Sequence, residues 1–508
     1  MYMAGILSPQ ERAFLQAVSK LAYCNPFLPE RVALEREALG PNFVPGEPVW
    51  SLPVADPERV RANAWRLAAH TEKLCEALQQ KLRAGVHSNS EADLVLYEDG
   101  VLHMLFHRYY PKMLDAGSWR FYGDFRADWR RFLEIDGLAY PTRHEPVHTF
   151  ACYRQIQRAF ERIYSDIIGN SLPAARLRAA VWQSIFTHDI RRYRRTLFAR
   201  MGEFATLITG PSGTGKELVA RAIAQSRYVA FDERRMTFAD EGVDLFFPIN
   251  ISALSPTIVE SELFGHRRGA FTGADRDRKG WLEACSELGS VFLDELGDLD
   301  PAIQVKLLRV IETRTFHPVG DTATRRFQGK LIAATNRDLA AHMRNGHFRD
   351  DLYYRLCSDQ IVTPSLAEQI ADSPRLVGDL VLYMARRVAG VDADELAEEV
   401  TSWISRHLPL DYAWPGNYRE LEQCVKNVLI RRDYRPSPPP SADPVDECAR
   451  EFLGGSLTAG ELLSRYCTLV YHRTGSYEET ARRLELDRRT VKSKVDQALL
   501  ASLRRRVN

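Results

Sequence analysis

The feature that most limits the fold of this chain is a glycine-rich loop between an apolar strand and a helical stretch. The run "FATLITG" ends at Gly210, "KELVARAIAQS" begins at Lys216, and the loop "GPSGTGKE" joins them. Its three glycines allow the backbone to turn its N–H groups toward phosphate oxygens, and the start of the following helix adds a favourable dipole. This loop predicts an α/β nucleotide-binding domain.

The same loop supplies the residues that are expected to bind ATP. Lys216 is expected to reach the β- and γ-phosphates. Glu217 stands where the general motif has a serine or threonine that ligates Mg²⁺, so that hydroxyl contact is missing. The metal must therefore be held from another part of the chain. The residues predicted to bind the nucleotide are Gly210, Pro211, Ser212, Gly213, Thr214, Gly215, Lys216 and Glu217.

A second strand, "SVFLDE", ends in two acidic residues that can hold the metal and activate water. Asp294 is predicted to bind Mg²⁺, directly or through water, and Glu295 to polarise the attacking water. Alone, such a pair is more often the solvated start of a loop, but the upstream phosphate loop favours catalysis. Asn336, at the end of "AATN", is predicted to lie near the γ-phosphate, although asparagines at strand ends also form turns.

The C-terminal tail "GSYEETARRLELDRRTVKSKVDQALL" has the pattern of two short helices joined by a turn, the second capped by Asp487. The apolar positions fall on one inner face, which leaves basic and small polar side chains outside, as a major groove requires. A solvated helical hairpin would show the same spacing. The predicted inner face is Ala481, Leu484, Leu486, Val491 and Val495. The predicted DNA-binding residues are Arg488, Arg489, Thr490, Lys492, Ser493 and Lys494.

The first ~175 residues are predicted to be mostly helical, with a boundary near Pro173. They lack the strand and helix alternation of a phospho-receiver domain. His103 and His107 have a spacing that can bind metal on a helix, but without a third ligand half-buried histidines are favoured. The run "WRFYGDFRADWRR" is compatible with a ligand pocket or a protein interface, and more simply with an amphipathic core.

Composition narrows the class of protein. The 68 basic and 67 acidic residues nearly cancel, so a nucleic-acid surface must be local. The eight cysteines include no C-x-x-C pair, which is typical of reduced thiols. No apolar run has the ~18 residues of a membrane helix, and the first residues do not form a signal peptide. A cytoplasmic protein without a membrane partner is expected.

Together these motifs resemble those of the bacterial enhancer-binding proteins, AAA+ ATPases that activate RNA polymerase carrying sigma-54. The resemblance runs from about Trp182 to about Arg432 and resumes in the tail, which resembles a Fis-type helix-turn-helix. In this family "GTGKE" is the common sequence of the phosphate loop. The chain also holds the family's GAFTGA loop intact. The residues that this resemblance implies to contact sigma-54 are Gly269, Ala270, Phe271, Thr272, Gly273 and Ala274.

On the residues alone, this loop could also be a surface turn whose Phe271 packs back onto its own domain. The resemblance further implies that Arg349 and Arg355 of "FRDDLYYRL" reach the γ-phosphate in a neighbouring subunit, where surface ion pairs are the alternative. It implies that Arg419 contacts bound nucleotide. It also implies that Asn250 is a switch residue hydrogen-bonded to Glu295, although an asparagine here could simply cap a turn.

The expected fold class is a multidomain chain built around an α/β AAA+ P-loop core. The expected domains are a mostly helical regulatory domain (1–175), the ATPase core (176–365), a small helical lid (366–434), a linker (435–456) and a helix-turn-helix (457–508). The expected function is ATP-dependent activation of sigma-54 polymerase from an upstream DNA site, by a ring that the resemblance implies to be a hexamer. Two alternatives are a DNA-binding regulator that only senses nucleotide, and a AAA+ remodeller of another substrate.

Overall fold

The computed structural model describes residues 6–46, 48–50, 62–85, 90–114, 118–140, 144–239, 245–436 and 457–504. The chain forms two compact units, Met1–Asp433 and Tyr434–Asn508. Among the described residues, no helix combines the length and the apolar composition needed to cross a bilayer.

The first part of the larger unit is helical. Helix α1 begins at a capping box in which Ser8 accepts the backbone N–H of Glu11 and Glu11 accepts that of Ser8. The helices are α1 (Pro9–Tyr23), α2 (Glu30–Leu39), α3 (Ala62–Arg83), α4 (Glu91–Leu114), α5 (Tyr122–Leu133), α6 (Pro146–Asp166), α7 (Leu172–Phe186) and the short α8 (Ile190–Arg192).

A five-stranded sheet follows, with all its neighbouring strands parallel and in the order β4-β5-β8-β1-β9. Parallel strands place their carboxyl ends at one edge, where ligands bind in open α/β sheets. The predicted α/β core is therefore confirmed. The strands are β1 (Thr206–Thr209), β2 (Phe231–Asp232), β3 (Thr237–Phe238), β4 (Phe246–Asn250), β5 (Ser290–Asp294), β6 (Thr315–Phe316), β7 (Arg325–Arg326), β8 (Lys330–Thr335) and β9 (Asp359–Val362), of which β2–β3 and β6–β7 form antiparallel pairs.

Helices cover both faces of this sheet. Leu207 of β1 packs into one core and its neighbour Ile208 into another, as the alternation of side chains along a strand requires. The remaining helices of the larger unit are α9 (Lys216–Ala224), α10 (Pro256–Phe264), α11 (Trp281–Ala284), α12 (Pro301–Thr313), α13 (Leu339–Arg344), α14 (Asp350–Leu356), α15 (Leu366–Asp372), α16 (Leu376–Ala389), α17 (Ala393–His407) and α18 (Asn417–Arg431).

The boundary predicted near residue 175 is not a break in packing. Pro173 lies in the first turn of α7, where proline favours a helix start rather than a linker. Phe160 of α6 shares a core with Val219 of α9, and the Phe150 ring lies 5.0 Å from that of Phe231 in the β2–β3 hairpin, tilted by 60°. The N-terminal helices therefore fold onto the α/β core within one unit.

The smaller unit contains four helices in its described residues 457–504. Ser476 and Asp487 cap the second and third of them by accepting N–H groups of Glu479 and Thr490. The helices are α19 (Ala459–Thr474), α20 (Tyr477–Leu484), α21 (Arg488–Lys494) and α22 (Gln497–Arg504). The predicted linker 435–456 lies outside the described residues except at 435 and 436.

Candidate functional site

The phosphate loop leaves the carboxyl end of β1 in a conformation that requires its glycines. Gly210, Gly213 and Gly215 have φ angles of 144°, 77° and 87°, which side chains disfavour. A Cβ at Gly210 would collide with Thr363, and a Cβ at Gly213 with the carbonyl oxygen of Gly416. The loop is therefore held in a fixed, tightly enclosed shape.

Lys216 folds back over this loop. Its Nζ donates to the carbonyl oxygens of Gly210 and Pro211 at 3.0 and 3.1 Å. Burial lowers the pKa of the Lys216 ammonium, and the nearby Glu295 and Asp294 carboxylates oppose that shift. An anion bound in the loop would therefore favour the charged lysine.

The two acids stand at the carboxyl end of β5, two strands from β1. Burial raises the pKa of Asp294, whose Oδ1 accepts the backbone N–H of Glu295 at 3.0 Å. Glu295 has φ 55° and ψ 46°, a left-handed conformation that is uncommon for a non-glycine residue and is found often at functional sites. Asp294 offers the carboxylate oxygens that Mg²⁺ prefers, and Glu295 can accept a proton.

Helix α18 closes the loop from the other side. Asn417 is 2% exposed, its Nδ2 donates to the carbonyl of Ser212 at 2.8 Å, and its Oδ1 accepts the N–H of Leu366 at 2.7 Å. The N–H of Tyr418 donates to the carbonyl of Gly213 at 3.1 Å, and Arg419 approaches the Ser212 hydroxyl at 3.4 Å. Sequence reasoning missed Asn417; the signal was an asparagine after Pro-Gly, a pattern that favours positive φ.

These elements enclose a cleft of about 1010 Å³. The end of α6 also reaches it through residues 165–168. A cleft of this size is at the upper end of the range for small-molecule sites. The predicted site residues that line it are Ser212, Gly213, Thr214, Gly215, Lys216, Glu217, Asn250, Asp294, Glu295 and Arg419.

Three predicted catalytic residues do not line the cleft of their own chain. Asn336 is exposed directly after β8. Arg349 pairs with Asp351 at 2.7 Å and Arg355 with Glu312 at 3.1 Å, and all four side chains are exposed.

The implied hydrogen bond between Asn250 and Glu295 is not among those made by the described residues. Asn250 instead accepts the Ser252 hydroxyl at 2.8 Å. Asn250 does stand in register with Asp294 on the neighbouring strand and lines the same cleft. A side-chain rotation within the cleft would be needed to give it the implied partner.

The GAFTGA loop forms a tight hairpin. His266 exchanges backbone hydrogen bonds with Arg278 at 2.9 Å, and the N–H of Gly269 donates to the carbonyl of Ala274 at 2.8 Å. Arg267 stabilises the base of this hairpin through ion pairs with Asp277 and Asp321. The tip residues Thr272 and Gly273 are exposed.

Phe271 in this structure packs back onto its own domain. Its ring is half-buried and meets the His266 ring edge-on at 4.9 Å. The His266 Nδ1 lies 2.7 Å from the Ser261 hydroxyl on α10, so this support is itself held in place. The structure therefore shows the alternative given above, in which Phe271 packs onto its own domain.

The predicted DNA-binding residues cluster on α21. Arg488, Arg489, Lys492 and Ser493 are exposed, whereas Thr490 and Lys494 are half-buried. Thr490 donates its hydroxyl to the capping Asp487. The predicted inner residues Ala481, Val491 and Val495 are buried in the core of this unit, with Leu484 and Leu486 packed against it.

Known proteins are similar to the middle part of this chain. Residues 187–362 match the family described as the sigma-54 interaction domain. The transcriptional regulatory protein ZraR of Escherichia coli K12 is 43% identical over 229 residues, 45% of this chain and 47% of that protein. The Nif-specific regulatory protein of Azotobacter vinelandii is 42% identical over 224 residues, 44% of this chain and 39% of that protein. The match thus spans less than half the length of either relative.

Among solved structures, NtrX from Brucella abortus in complex with ATP is 23% identical, with a TM-score of 0.38 over 74% of this chain and 80% of that one. The sequence matches agree with the resemblance drawn from the GAFTGA loop. The part of the chain that these comparisons identify is residues 187–362, which are similar to the sigma-54 interaction domain.

Proposed function

We propose that this protein hydrolyses ATP and uses the energy to remodel the closed complex of sigma-54 RNA polymerase into an open complex. The observation that carries the proposal is the meeting of Lys216, Asp294, Glu295 and Arg419 around one cleft that a helical lid closes. The core (176–365) and lid (366–434) form the ATPase. Lys216 and Arg419 neutralise phosphate charge, and Glu295 accepts a proton from the attacking water.

Asp294 fits the Mg²⁺ that such hydrolysis needs, because it is the acid at the strand end opposite the phosphate loop. When bound, Mg²⁺ neutralises charge on the phosphate oxygens. Asn336 and Asn250 complete the polar edge of the sheet. The absence of a hydroxyl at Glu217 leaves Asp294 as the principal protein ligand.

Arg349 and Arg355 act in a neighbouring subunit. Both are exposed and neither lines the cleft of its own chain, which supports donation across a subunit contact and makes hydrolysis depend on assembly into a ring. Six subunits is the number implied by the resemblance. The ion pairs with Asp351 and Glu312 are weak enough at the surface to be exchanged for a phosphate.

The loop Gly269–Ala274 contacts sigma-54, and the helix α21 binds upstream double-stranded DNA. The exposed Thr272 and Gly273 offer the first contact, and release of Phe271 from His266 adds an apolar one. On α21 the exposed Arg488, Arg489, Lys492 and Ser493 face outward, as a recognition helix requires. The half-buried Thr490 and Lys494 lie at the margin of that surface.

The test is open-complex formation by the purified protein with sigma-54 polymerase on a promoter carrying the upstream site. We expect opening with ATP, none with a non-hydrolysable analogue, and none with Phe271→Ala despite normal ATP turnover. Phe204→Ala, which truncates an exposed phenylalanine elsewhere on the same unit, is the matched control and should open normally. ATP turnover without opening by the wild type would refute the sigma-54 assignment.

A further inference from the structure

A second cavity, of about 200 Å³, lies among the N-terminal helices, and none of the residues assigned above to the nucleotide cleft line it. Several aromatic side chains line it: Trp50 meets Phe160 edge-on at 4.9 Å, and Trp182 and Phe106 are also in the lining. The rings of His107 and Trp65, which also line it, lie 6.2 Å apart. An engineered cavity of about 150 Å³ binds benzene, so this volume suits a compound with one aromatic ring.

The acids that line this cavity are already satisfied. Glu35 pairs with Arg31 at 2.5 Å. Asp99 accepts hydrogen bonds from Ser19, Tyr23 and Arg191 at 2.7, 2.7 and 2.5 Å. Burial lowers the pKa of His107 to about 4 and that of His103 well below its usual value, so both rings are neutral at neutral pH. These groups leave no acid to attract a cationic ligand.

Two buried donors on the cavity wall lack an acceptor. Arg194 is 6% exposed and forms no ion pair with any acid of the described residues; its Nη2 donates to the Thr149 hydroxyl at 3.5 Å, but its Nε has no hydrogen-bond partner there. Trp182 is 4% exposed, and its Nε1, which can only donate, also lacks a partner in the described part of the chain. A buried cation and a buried donor left in this way are costly unless something binds them.

We propose that this cavity binds a small monocyclic aromatic carboxylate, whose carboxylate accepts from Arg194 and Trp182 and whose ring packs among Trp50, Phe160 and Phe106. The volume limits the ligand to a single ring, the aromatic side chains favour that ring, and the positive charge and free Nε–H of Arg194 select an anion. The third unpartnered group, the His103 Nδ1, adds a polar contact for a ring substituent. A metal is not the occupant, because no cluster of three possible ligands exists among the described residues.

The test is isothermal titration calorimetry of the full-length protein with benzoate and with its neutral analogue benzamide. A charged hydrogen bond contributes about 1.5–3 kcal/mol. We therefore expect benzoate to bind about tenfold to a hundredfold more tightly than benzamide, which is the ratio of dissociation constants that corresponds to this energy. Arg194→Gln should bring the two dissociation constants within about threefold of each other, since the charge preference is lost. A wild type that binds neither compound, or both equally, overturns the proposal.

Two further variants keep the test decisive if Arg194→Gln does not fold. Trp182→Phe removes the Nε1 donor and should weaken benzoate about fivefold, whereas Trp129→Phe, the same change at a buried tryptophan outside the cavity, should not. Ile156→Trp fills the cavity and should abolish binding of both compounds. Benzoate binding that survives Ile156→Trp, or that falls equally with Trp129→Phe, places the ligand elsewhere and overturns the proposal.

Discussion

Glu295 combines an acidic side chain with a left-handed backbone at the edge of the nucleotide cleft. We expect Glu295→Gln to lower the rate of ATP hydrolysis by about a hundredfold or more, because the amide cannot accept the proton of the attacking water. ATP binding should be kept, since the phosphate loop is untouched. Steady-state turnover and fluorescent-nucleotide titration measure the two effects.

Glu283→Gln is the control for this change, because Glu283 is an acid of α11 that does not line the cleft. It should turn over ATP at the wild-type rate. Near-normal hydrolysis by Glu295→Gln would show that another group serves as the base.

Asn417, whose φ angle is 52°, joins the lid to the phosphate loop through its hydrogen bond to Ser212, and it also binds Leu366 at the start of the lid. We expect Asn417→Ala to lower the free energy of unfolding by about 2–4 kcal/mol, because buried partners lose their bonds and alanine disfavours positive φ. ATP affinity should fall as well, since Arg419 depends on the same turn. Urea unfolding and nucleotide titration provide the measurements.

Asn417→Gly separates the two causes. Glycine adopts the same backbone without strain, so its remaining loss of stability reports the hydrogen bonds alone. An alanine variant as stable as the wild type would mean that the turn relaxes without these contacts.

At the scale of elements, the GAFTGA hairpin rests on a neighbouring turn. Gly320 has φ 75°, and a Cβ there would lie 2.8 Å from the Cβ of Ala270. We expect Gly320→Ala to displace the hairpin and abolish open-complex formation while ATP hydrolysis stays within about twofold, because the cleft is formed by other elements. Parallel assays of ATP turnover and promoter opening show whether opening is lost while hydrolysis is kept.

Gly137→Ala is a matched control for this variant. Gly137 has φ 78°, but no atom lies within 4 Å of a Cβ built there. It carries the same backbone strain without the collision, so it should activate normally. Loss of opening in both variants would point to general destabilisation.

Helix α21 presents its arginines on an exposed surface. We expect Arg489→Ala to weaken DNA binding about tenfold, and to reduce the salt dependence by about one counterion if Arg489 binds a phosphate. Arg482→Ala, on α20 and paired with Glu479, should change affinity less than about twofold. Fluorescence anisotropy over a range of salt concentrations is the measurement, and equal effects of the two variants would contradict the assignment.

Local signals explain which elements were predictable. The phosphate loop, the acids of β5 and the helices of the tail each depend on residues close together in sequence, and the structure has each of them at the expected positions. The contacts of Asn417 with Leu366 and of Phe271 with His266 depend on tertiary packing, which spacing does not encode. Pro173, on which the predicted boundary rests, lies in the first turn of helix α7, because proline begins helices as well as interrupting them.

At the scale of the whole molecule, the N-terminal helices and the α/β core share buried residues and should unfold together. Cys75 lies in the N-terminal core and Cys285 in the α/β core, and both thiols are buried. We expect both to become reactive at the same urea concentration. ADP should protect both, because a ligand that binds only the folded state stabilises the whole cooperative unit.

Mass spectrometry of alkylated thiols provides this measurement. Exposure of Cys75 at a lower urea concentration than Cys285, with ADP protecting only Cys285, would show that the two parts unfold independently.

Helix α6 is a wall of two chambers. Tyr153, Ile156 and Phe160 line the aromatic cavity, and residues 165 and 166 at the end of the same helix line the nucleotide cleft. If filling one chamber shifts this helix as a rigid body, the free energy of filling the other chamber changes as well. Thermodynamic reciprocity then requires nucleotide to change the affinity for the cavity ligand by the same factor as that ligand changes the affinity for nucleotide. In that case, the affinity measured for one ligand would report whether the other chamber is filled.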